Sequence, residues 1–414
     1  LALAGWYASD SLRHRREQED GYRLRGEDLD VGSDAFLRAT EAITMAPIAQ
    51  GNEIELFING DEIFPAMLET MAGAQHTLNF LSYLYWTGEI GSEIADALCR
   101  RAQAGVEVNV LLDAVGSARM DQSLIADMDE AGVNFAYFRP PKPYAMRRLN
   151  NRTHRKLLIA DGAVGMLGGV GIADQWTGDA QDPDHWRDTH VRVRGPIVRG
   201  LQGAFAENWL EATGDVLVGP AYLPELEPLG GGAAMQVVRS TANVGDTNVE
   251  ALYFLAIACA RTSLHLTSAY FAPGPAFVEA LTDAAGRGVD VRVLVPGPHI
   301  DKEVVRRAGR AVYEQLLEGG VKLFEYCPTM IHAKTLTIDG AWSSVGSVNF
   351  DNRSFQLQDE VTLCICSAEF AGRLDEQFER DLQRSERIEL PRWEQRSLPT
   401  RAAEAVTKLA RREL

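Results

Sequence analysis

The sequence predicts an α/β protein built from two similar lobes that share one cleft. Three observations predict it. Strand-like and helix-like segments alternate along the chain, which implies layered strands and helices joined by right-handed crossovers. Segments of the first half return in the second: AGVEVNVLLDAVGS pairs with RGVDVRVLVPGPHI, and AGVNFAYFRP with GGVKLFEYCP. The pattern His-x-Lys-x4-Asp occurs twice, as His154, Lys156 and Asp161 and again as His332, Lys334 and Asp339. Each copy opens a strand-like run. Each is followed at the same offset by small residues, Gly168-Gly169 and Gly346-Ser347, so the copies read as halves of one bipartite site.

Residues 1–47 form a lead-in that contains one helical piece, DAFLRATEAIT. Its first residues, LALAGWYA, precede an Arg-rich SDSLRHRRE; this reads either as the end of a membrane anchor with its positive flank or as an ordinary amphipathic start. The first lobe is placed at 48–213. Alternation makes Glu53–Ile58 a strand, and Asn59-Gly60-Asp61 is a turn signal. Ile63, Met67, Leu68 and Met71 then fall at helical spacing over Glu62–Gly73. Thr77–Leu84 is a buried strand, Glu89–Ala104 a helix closed by Gly105, and Val106–Leu112 a strand. Leu124–Ala131 is a helix closed by Gly132, Val133–Phe138 a strand, and the first motif follows.

A stretch rich in Gly, Pro and Leu, 214–234, divides the lobes. The second lobe, 235–390, repeats the order. Helices are expected at Val249–Ala260, Phe277–Gly286 and Val304–Glu318. Strands are expected at Ser263–Ala269, Val289–Val295 and Val321–Tyr326, ahead of the second motif. Residues 391–414, with LPTRAAEAVTKLARREL, read as a basic amphipathic helix.

With 414 residues the chain can bury two sizeable cores, and no run of 18 apolar residues forms a complete membrane span. The net charge of −17 argues against a general nucleic-acid binder. Five cysteines without a CxxC pair read as reduced packing residues, and no metal-ligand spacing stands out.

The motif spacing carries chemistry. His and Lys two apart on a strand share a face, so an imidazole that can attack phosphorus lies beside an ammonium that can hold a phosphate oxygen. Small residues at Gly169 and Ser347 let backbone N–H groups or a hydroxyl approach the same phosphate. Two His and two Lys can supply a nucleophile, a general acid and a charge clamp, so no metal or cofactor is expected. Asp161 and Asp339 complete the candidate catalytic set; their place before a Gly suits turn carboxylates that brace the motif loop. A catalytic imidazole needs an orienting carboxylate, and Asp188 and Glu360 lie at comparable distances after their motifs.

The double motif resembles the phospholipase D superfamily. THRKLLIADGAVGMLGGVGIADQW, DPDHWRDTH and VGSVNFDNRSFQLQDE are similar to the bacterial cardiolipin synthase family within it, over roughly residues 50–385. The resemblance implies two phospholipase D-type lobes, a phosphohistidine intermediate on His154, and transfer of a phosphatidyl group between two phosphatidylglycerol molecules to give cardiolipin and glycerol. It implies phosphate binding by Asn349 and acids near Asp188 and Glu360 that partner the histidines beside the substrate. One departure is visible: Asn349 of the second copy corresponds to Gly171 in the first. Hydrolysis by a phospholipase D or phosphodiesterase is the alternative, since the covalent half-reaction is the same.

Between Arg139 and Lys156 stand Lys142, Arg147, Arg148, Arg152 and Arg155 with no acid. In so acidic a chain this reads as a loop that meets anionic lipid headgroups, with Arg147 and Arg148 at its centre. The expected partners are therefore phosphatidylglycerol, cardiolipin and a membrane surface rather than nucleic acid. The expected place is the bacterial inner membrane, held peripherally or by a segment ahead of residue 1.

Overall fold

The computed structural model describes residues 22–26, 28–141, 150–242 and 246–396. Helix α1 (Asp34–Thr44) leads into β1 (Ile48–Ile58) and α2 (Asn59–Gly73). The first lobe continues as β2 (Thr77–Ser82), α3 (Glu89–Gln103), β3 (Glu107–Asp113), α4 (Gln122–Glu130) and β4 (Asn134–Phe138). It closes with β5 (Arg152–Thr153), β6 (Leu157–Ala160), β7 (Val164–Gly168), β8 (Thr189–Arg194) and α5 (Val198–Thr213). The second lobe runs β9 (Ala233–Ser240), α6 (Asn248–Cys259), β10 (Ser263–Ser268), β11 (Phe271–Ala272), α7 (Pro275–Gly286) and β12 (Asp290–Pro296). Next come α8 (Glu303–Arg310), α9 (Tyr313–Glu318), β13 (Lys322–Tyr326), β14 (Lys334–Ile338), β15 (Trp342–Gly346) and β16 (Phe350–Asp351). The last elements are α10 (Asn352–Gln356), β17 (Gln358–Cys366), α11 (Ala368–Leu382), β18 (Ser385–Arg387) and α12 (Leu390–Glu394).

The lobes are fused through one 16-stranded sheet in the order β18-β13-β12-β10-β14-β15-β17-β9-β1-β8-β7-β6-β2-β3-β4, with β5 paired to β17 off that path. Read outward from its middle the order is the same both ways: β1-β8-β7-β6-β2-β3-β4 and β9-β17-β15-β14-β10-β12-β13. The antiparallel pair β1–β9 therefore lies on the pseudo-twofold axis. Each lobe has its own apolar cluster. A third, with Leu167, Val191, Leu201, Val237, Val345, Val361 and Leu363, draws on both lobes and lies under the junction.

Two local expectations change. Asn59-Gly60-Asp61 is not a separate turn but the first turn of α2, with Asn59 at φ 62. Gly60 is needed because a Cβ there would lie 2.1 Å from the Trp176 carbonyl oxygen. The single helix expected over Val304–Glu318 is two, α8 and α9. The break follows Gly309, where the backbone presses so close to β11 that a Cβ would lie 2.0 Å from the Phe271 carbonyl oxygen. The cysteines are free. Among the described residues no helix is long and apolar enough to cross a membrane. Of the expected tail helix, 397–414 lies outside the described residues, as do Arg147 and Arg148.

Candidate active site

Each histidine is delivered by backbone pairing with the other lobe. Strand β5 runs parallel to the start of β17, Arg152 opposite Gln358 and Thr153 opposite Asp359, and the His154 N–H donates to the Asp359 carbonyl at 2.8 Å. In the second copy Ile331 bridges to Arg187, and the His332 N–H donates to the Arg187 carbonyl at 2.7 Å. Both contacts fall one residue before an acid. Those acids, Asp188 and Glu360, sit at equivalent positions, two residues ahead of His190 opposite Gly168 and of Thr362 opposite Gly346.

The acids are exchanged between lobes. Asp188 Oδ2 lies 2.8 Å from His332 Nδ1, while Glu360 Oε1 and Oε2 lie 3.0 and 3.1 Å from His154 Nδ1. The Ser347 carbonyl is a further acceptor 3.1 Å from His154 Nδ1. Nδ1 of each ring faces acceptors, so it carries the proton, and in the neutral ring Nε2 keeps its lone pair for chemistry. Asp188 and Glu360 thus bind the histidines rather than the substrate.

The lysines complete the cluster. Lys156 Nζ donates to the His154 carbonyl at 2.7 Å, and Lys334 Nζ donates to the His332 carbonyl and lies 3.1 Å from the His332 ring nitrogens. All four residues are at most 5% exposed. Tyr83 edges His154, with ring centroids 5.2 Å apart, and Trp176, Trp186 and Tyr270 surround His332 at 5.2, 5.8 and 6.2 Å.

Burial and crowded positive charge set the proton affinities. Burial, then Lys156 and Lys334, push the His154 imidazole well below its usual value. Burial and Lys334 bring His332 down to about 3 despite Asp188. Burial lowers Lys156 to about 7 and Lys334 to about 8. The acids differ: burial lifts Glu360 to about 7, whereas His332, Lys334 and the Thr189 N–H outweigh burial at Asp188 and hold it ionised. The lobes act on each other, Lys334 on His154 and Lys156 on His332, so each motif stands within electrostatic reach of the other.

Other candidates fall elsewhere. Asp161 and Asp339, each at φ 54, sit past the far ends of β6 and β14, about 16 Å along the strand from their lysines. Asp161 accepts the backbone N–H groups of Gln75, His76 and Thr77; Asp339 accepts those of Arg261, Thr262 and Ser263. They brace the start of the neighbouring strand and are corrected from the catalytic set. Ser347 is fully buried, and its hydroxyl donates to Glu360, so it positions the acid instead of meeting phosphate. At Gly169 a Cβ would lie 2.2 Å from Asp188 Oδ1, so glycine makes room for that acid. Asn349 Oδ1 accepts from the Tyr270 N–H at 3.3 Å, which leaves its NH2 available.

Residues outside the motifs do part of the work. Trp176 Nε1 donates to Asp188 at 2.9 Å, the part Ser347 plays for Glu360. Its indole also lies 3.2 Å from where a Gly171 side chain would begin, which accounts for the missing Asn of the first copy. Asn59 holds the acid's backbone: its N–H donates to the Asp188 carbonyl at 3.1 Å and its Oδ1 accepts from the Asp188 N–H at 3.2 Å. The signal for Asn59 was an Asn-Gly pair read as a turn; Trp176 offered no signal beyond its place in the first motif's stretch.

The family model described as "Cardiolipin synthase, PLD-like domain" matches residues 67–185 and 253–382, one match on each motif-bearing lobe. The chain is 34% identical to a cardiolipin synthase of Geobacillus sp. (strain WCH70) over 376 residues, 90% of this chain and 75% of that protein. The chain belongs to the cardiolipin synthase family of phospholipase D-like proteins. Cardiolipin synthase 2 of Bacillus anthracis is likewise 34% identical, over 97% of this chain and 76% of its own length. Among solved structures, the phosphatidylserine synthase of Haemophilus influenzae Rd KW20 superposes with a TM-score of 0.71 at 14% identity, covering 92% of this chain and all of that one. That likeness extends the two-lobed fold of the cardiolipin synthase family to a distant sequence.

Proposed function

We propose that the protein is a phosphatidyltransferase that joins two phosphatidylglycerol molecules into cardiolipin and releases glycerol. In the first step Nε2 of His154 attacks the phosphorus of one lipid. An N–P bond forms and the P–O bond to glycerol breaks; His332, protonated at Nε2 once the anionic phosphate is bound and with Asp188 compensating its charge, gives the departing oxygen that proton. In the second step His332 takes the proton of the second lipid's terminal hydroxyl, whose oxygen displaces His154 from phosphorus. Lys156, Lys334 and the Asn349 NH2 hold the phosphate oxygens as negative charge builds.

One observation carries this reading: both Nδ1 atoms are tied to a carboxylate of the opposite lobe, which leaves both Nε2 atoms for the substrate. The unequal acids support the division of labour. Ionised Asp188 can compensate an imidazolium at His332, which suits the proton carrier, while His154 next to a half-neutralised Glu360 stays an uncharged nucleophile. The substrates place the reaction at the bacterial inner membrane, with Arg147 and Arg148 contributing attraction to anionic lipid.

Purified protein incubated with phosphatidylglycerol vesicles should yield cardiolipin and glycerol in equal amounts by mass spectrometry. Phosphatidic acid with glycerol would make the protein a hydrolase and overturn the reading.

A further inference from the structure

We propose that Lys302 and Arg353 form a second anion subsite, which holds the phosphodiester of the acceptor lipid while that lipid's terminal hydroxyl attacks. The inference rests on the phosphatidyl-transfer reading above. Joining two phosphatidylglycerols brings two phosphates to one cleft. The His-Lys cluster accounts for the reacting one. The other is three carbons from the attacking oxygen, so it must stop a short way from the reaction centre, at the wall of the cleft.

Lys302 reaches a catalytic histidine through one residue, Tyr270, and Arg353 through two, Gln358 and Glu360. Lys302 Nζ lies 4.7 Å over the ring of Tyr270, and that ring edges His332 at 6.2 Å. The Tyr270 hydroxyl is fixed by Asp301 at 2.8 and 2.9 Å, and its backbone N–H by Asn349. Arg353 is the second residue of α10, two residues after Asp351, which caps that helix. The Gln358 amide, oriented to satisfy both neighbours, accepts from Arg353 Nε at 3.2 Å and donates to Glu360 Oε1 at 3.3 Å. Glu360 in turn holds His154.

Neither cation is in an ion pair, although Asp301 and Asp351 act on Lys302 from further off. Among the described residues no carboxylate comes within ion-pair distance of either, although many of the described arginines have one: Arg139 pairs with Glu211, Arg152 with Asp113, and Arg187 with Asp381. Lys302 is exposed and Arg353 half-buried, so both can be reached. Both charges are felt at His154, where after burial and the two motif lysines they lower its proton affinity further. Two like charges on one wall repel each other, and an anion between them removes that cost. A phosphodiester, with a single charge and two free oxygens, fits one ammonium and one guanidinium.

The test separates the two phosphates by the choice of acceptor. Glycerol brings none, so exchange of labelled glycerol into phosphatidylglycerol uses the reacting phosphate alone. Glycerophosphoglycerol, which has no acyl chains, brings the second phosphate without a membrane. Lys302→Gln with Arg353→Gln should raise the KM for glycerophosphoglycerol by at least about tenfold, as expected for lost charge-assisted contacts, with kcat little changed. Glycerol exchange by Lys302→Gln should stay within about twofold. Lys302→Gln alone, which leaves the Gln358–Glu360 link intact, should give part of the KM effect, and Lys302→Arg with Arg353→Lys should restore most of it. An equal fall with both acceptors would place the cations in the chemistry. A loss confined to vesicle substrate would make them a membrane-docking surface. No change would leave them solvent charges. Each of these overturns the subsite. A parent protein that makes only phosphatidic acid defeats the transferase reading itself, and is recognised before any variant is made.

Discussion

At the scale of residues the site is two unequal copies of one device. The exchanged acids should respond unequally to neutralisation. Asp188→Asn removes a carboxylate that is fully ionised, so kcat at neutral pH should fall by about 10²- to 10⁴-fold, as for the orienting acid of other imidazole sites. Glu360→Gln should cost clearly less, because burial already leaves Glu360 about half protonated there. Equal losses would make the two carboxylates equivalent and remove the assigned roles. The lysines set the alkaline limb. Burial puts Lys156 near 7 and Lys334 near 8, so the free protein loses its phosphate clamp as pH rises past them, and kcat/KM should fall above about pH 8. A bound phosphate anion favours the charged ammonium, so the limb in kcat should lie at higher pH; a profile flat to about pH 10 would contradict both statements. The same burial makes a stability claim. Between about 7 and 10.5 the unfolded chain binds more protons at Lys156 than the folded one, so this lysine destabilises most at low pH and its cost fades as pH rises. Lys156→Met should therefore abolish turnover and raise the melting temperature, by more at about pH 6 than at about pH 10. A melting temperature lowered at both would mean that Lys156 is a net stabiliser.

At the scale of elements, strand and helix positions were legible wherever periodicity and a closing glycine agreed. Helix α3 before Gly105 and α4 before Gly132 end within one residue of expectation. Legibility failed where a tertiary approach decided the backbone, at Gly60 against the Trp176 carbonyl and Gly309 against the Phe271 carbonyl, since neither partner is near in sequence. The motif aspartates are an instructive mixture: their turn position was readable, but the N–H groups they accept belong to strands more than 70 residues away. Each carboxylate takes three such N–H groups, and charge-assisted bonds of this kind contribute about 1.5–3 kcal/mol. Asp161→Ala or Asp339→Ala should then lower stability by about 2–4 kcal/mol in denaturant titration while leaving kcat per folded molecule unchanged. A collapse of kcat in protein that is still folded would return these residues to the catalytic set.

At the scale of the molecule, the repeat made two lobes legible, and the paired motifs made one shared site legible. The sequence did not reveal that the lobes are one sheet, because β1 and β9 pair across the axis as equivalents and leave no periodic mark of their partnership. Nor did it reveal the exchange of acids, since a repeat describes each lobe by itself and the exchange is a property of the pair. The exchange ties activity to the junction: neither histidine has its acid unless β17 and the Arg187–Thr189 segment are held against the opposite motif. The junction core is built for that. Leu363 is fully buried, opposite Val345 of its own lobe and Val237 of the axial strand, and it belongs to a cluster that also holds Val191 and Leu201 of the first lobe. The two lobes should therefore unfold as one unit, with a single transition by calorimetry that coincides with loss of activity. Leu363→Ala leaves a cavity in this shared core and should cost about 2–5 kcal/mol. The decisive feature is how the loss appears: the whole transition should move down and remain single. Two separated transitions, with only the second lobe's signals shifted by Leu363→Ala, would mean that the lobes are independent domains and that the continuous sheet does not couple them.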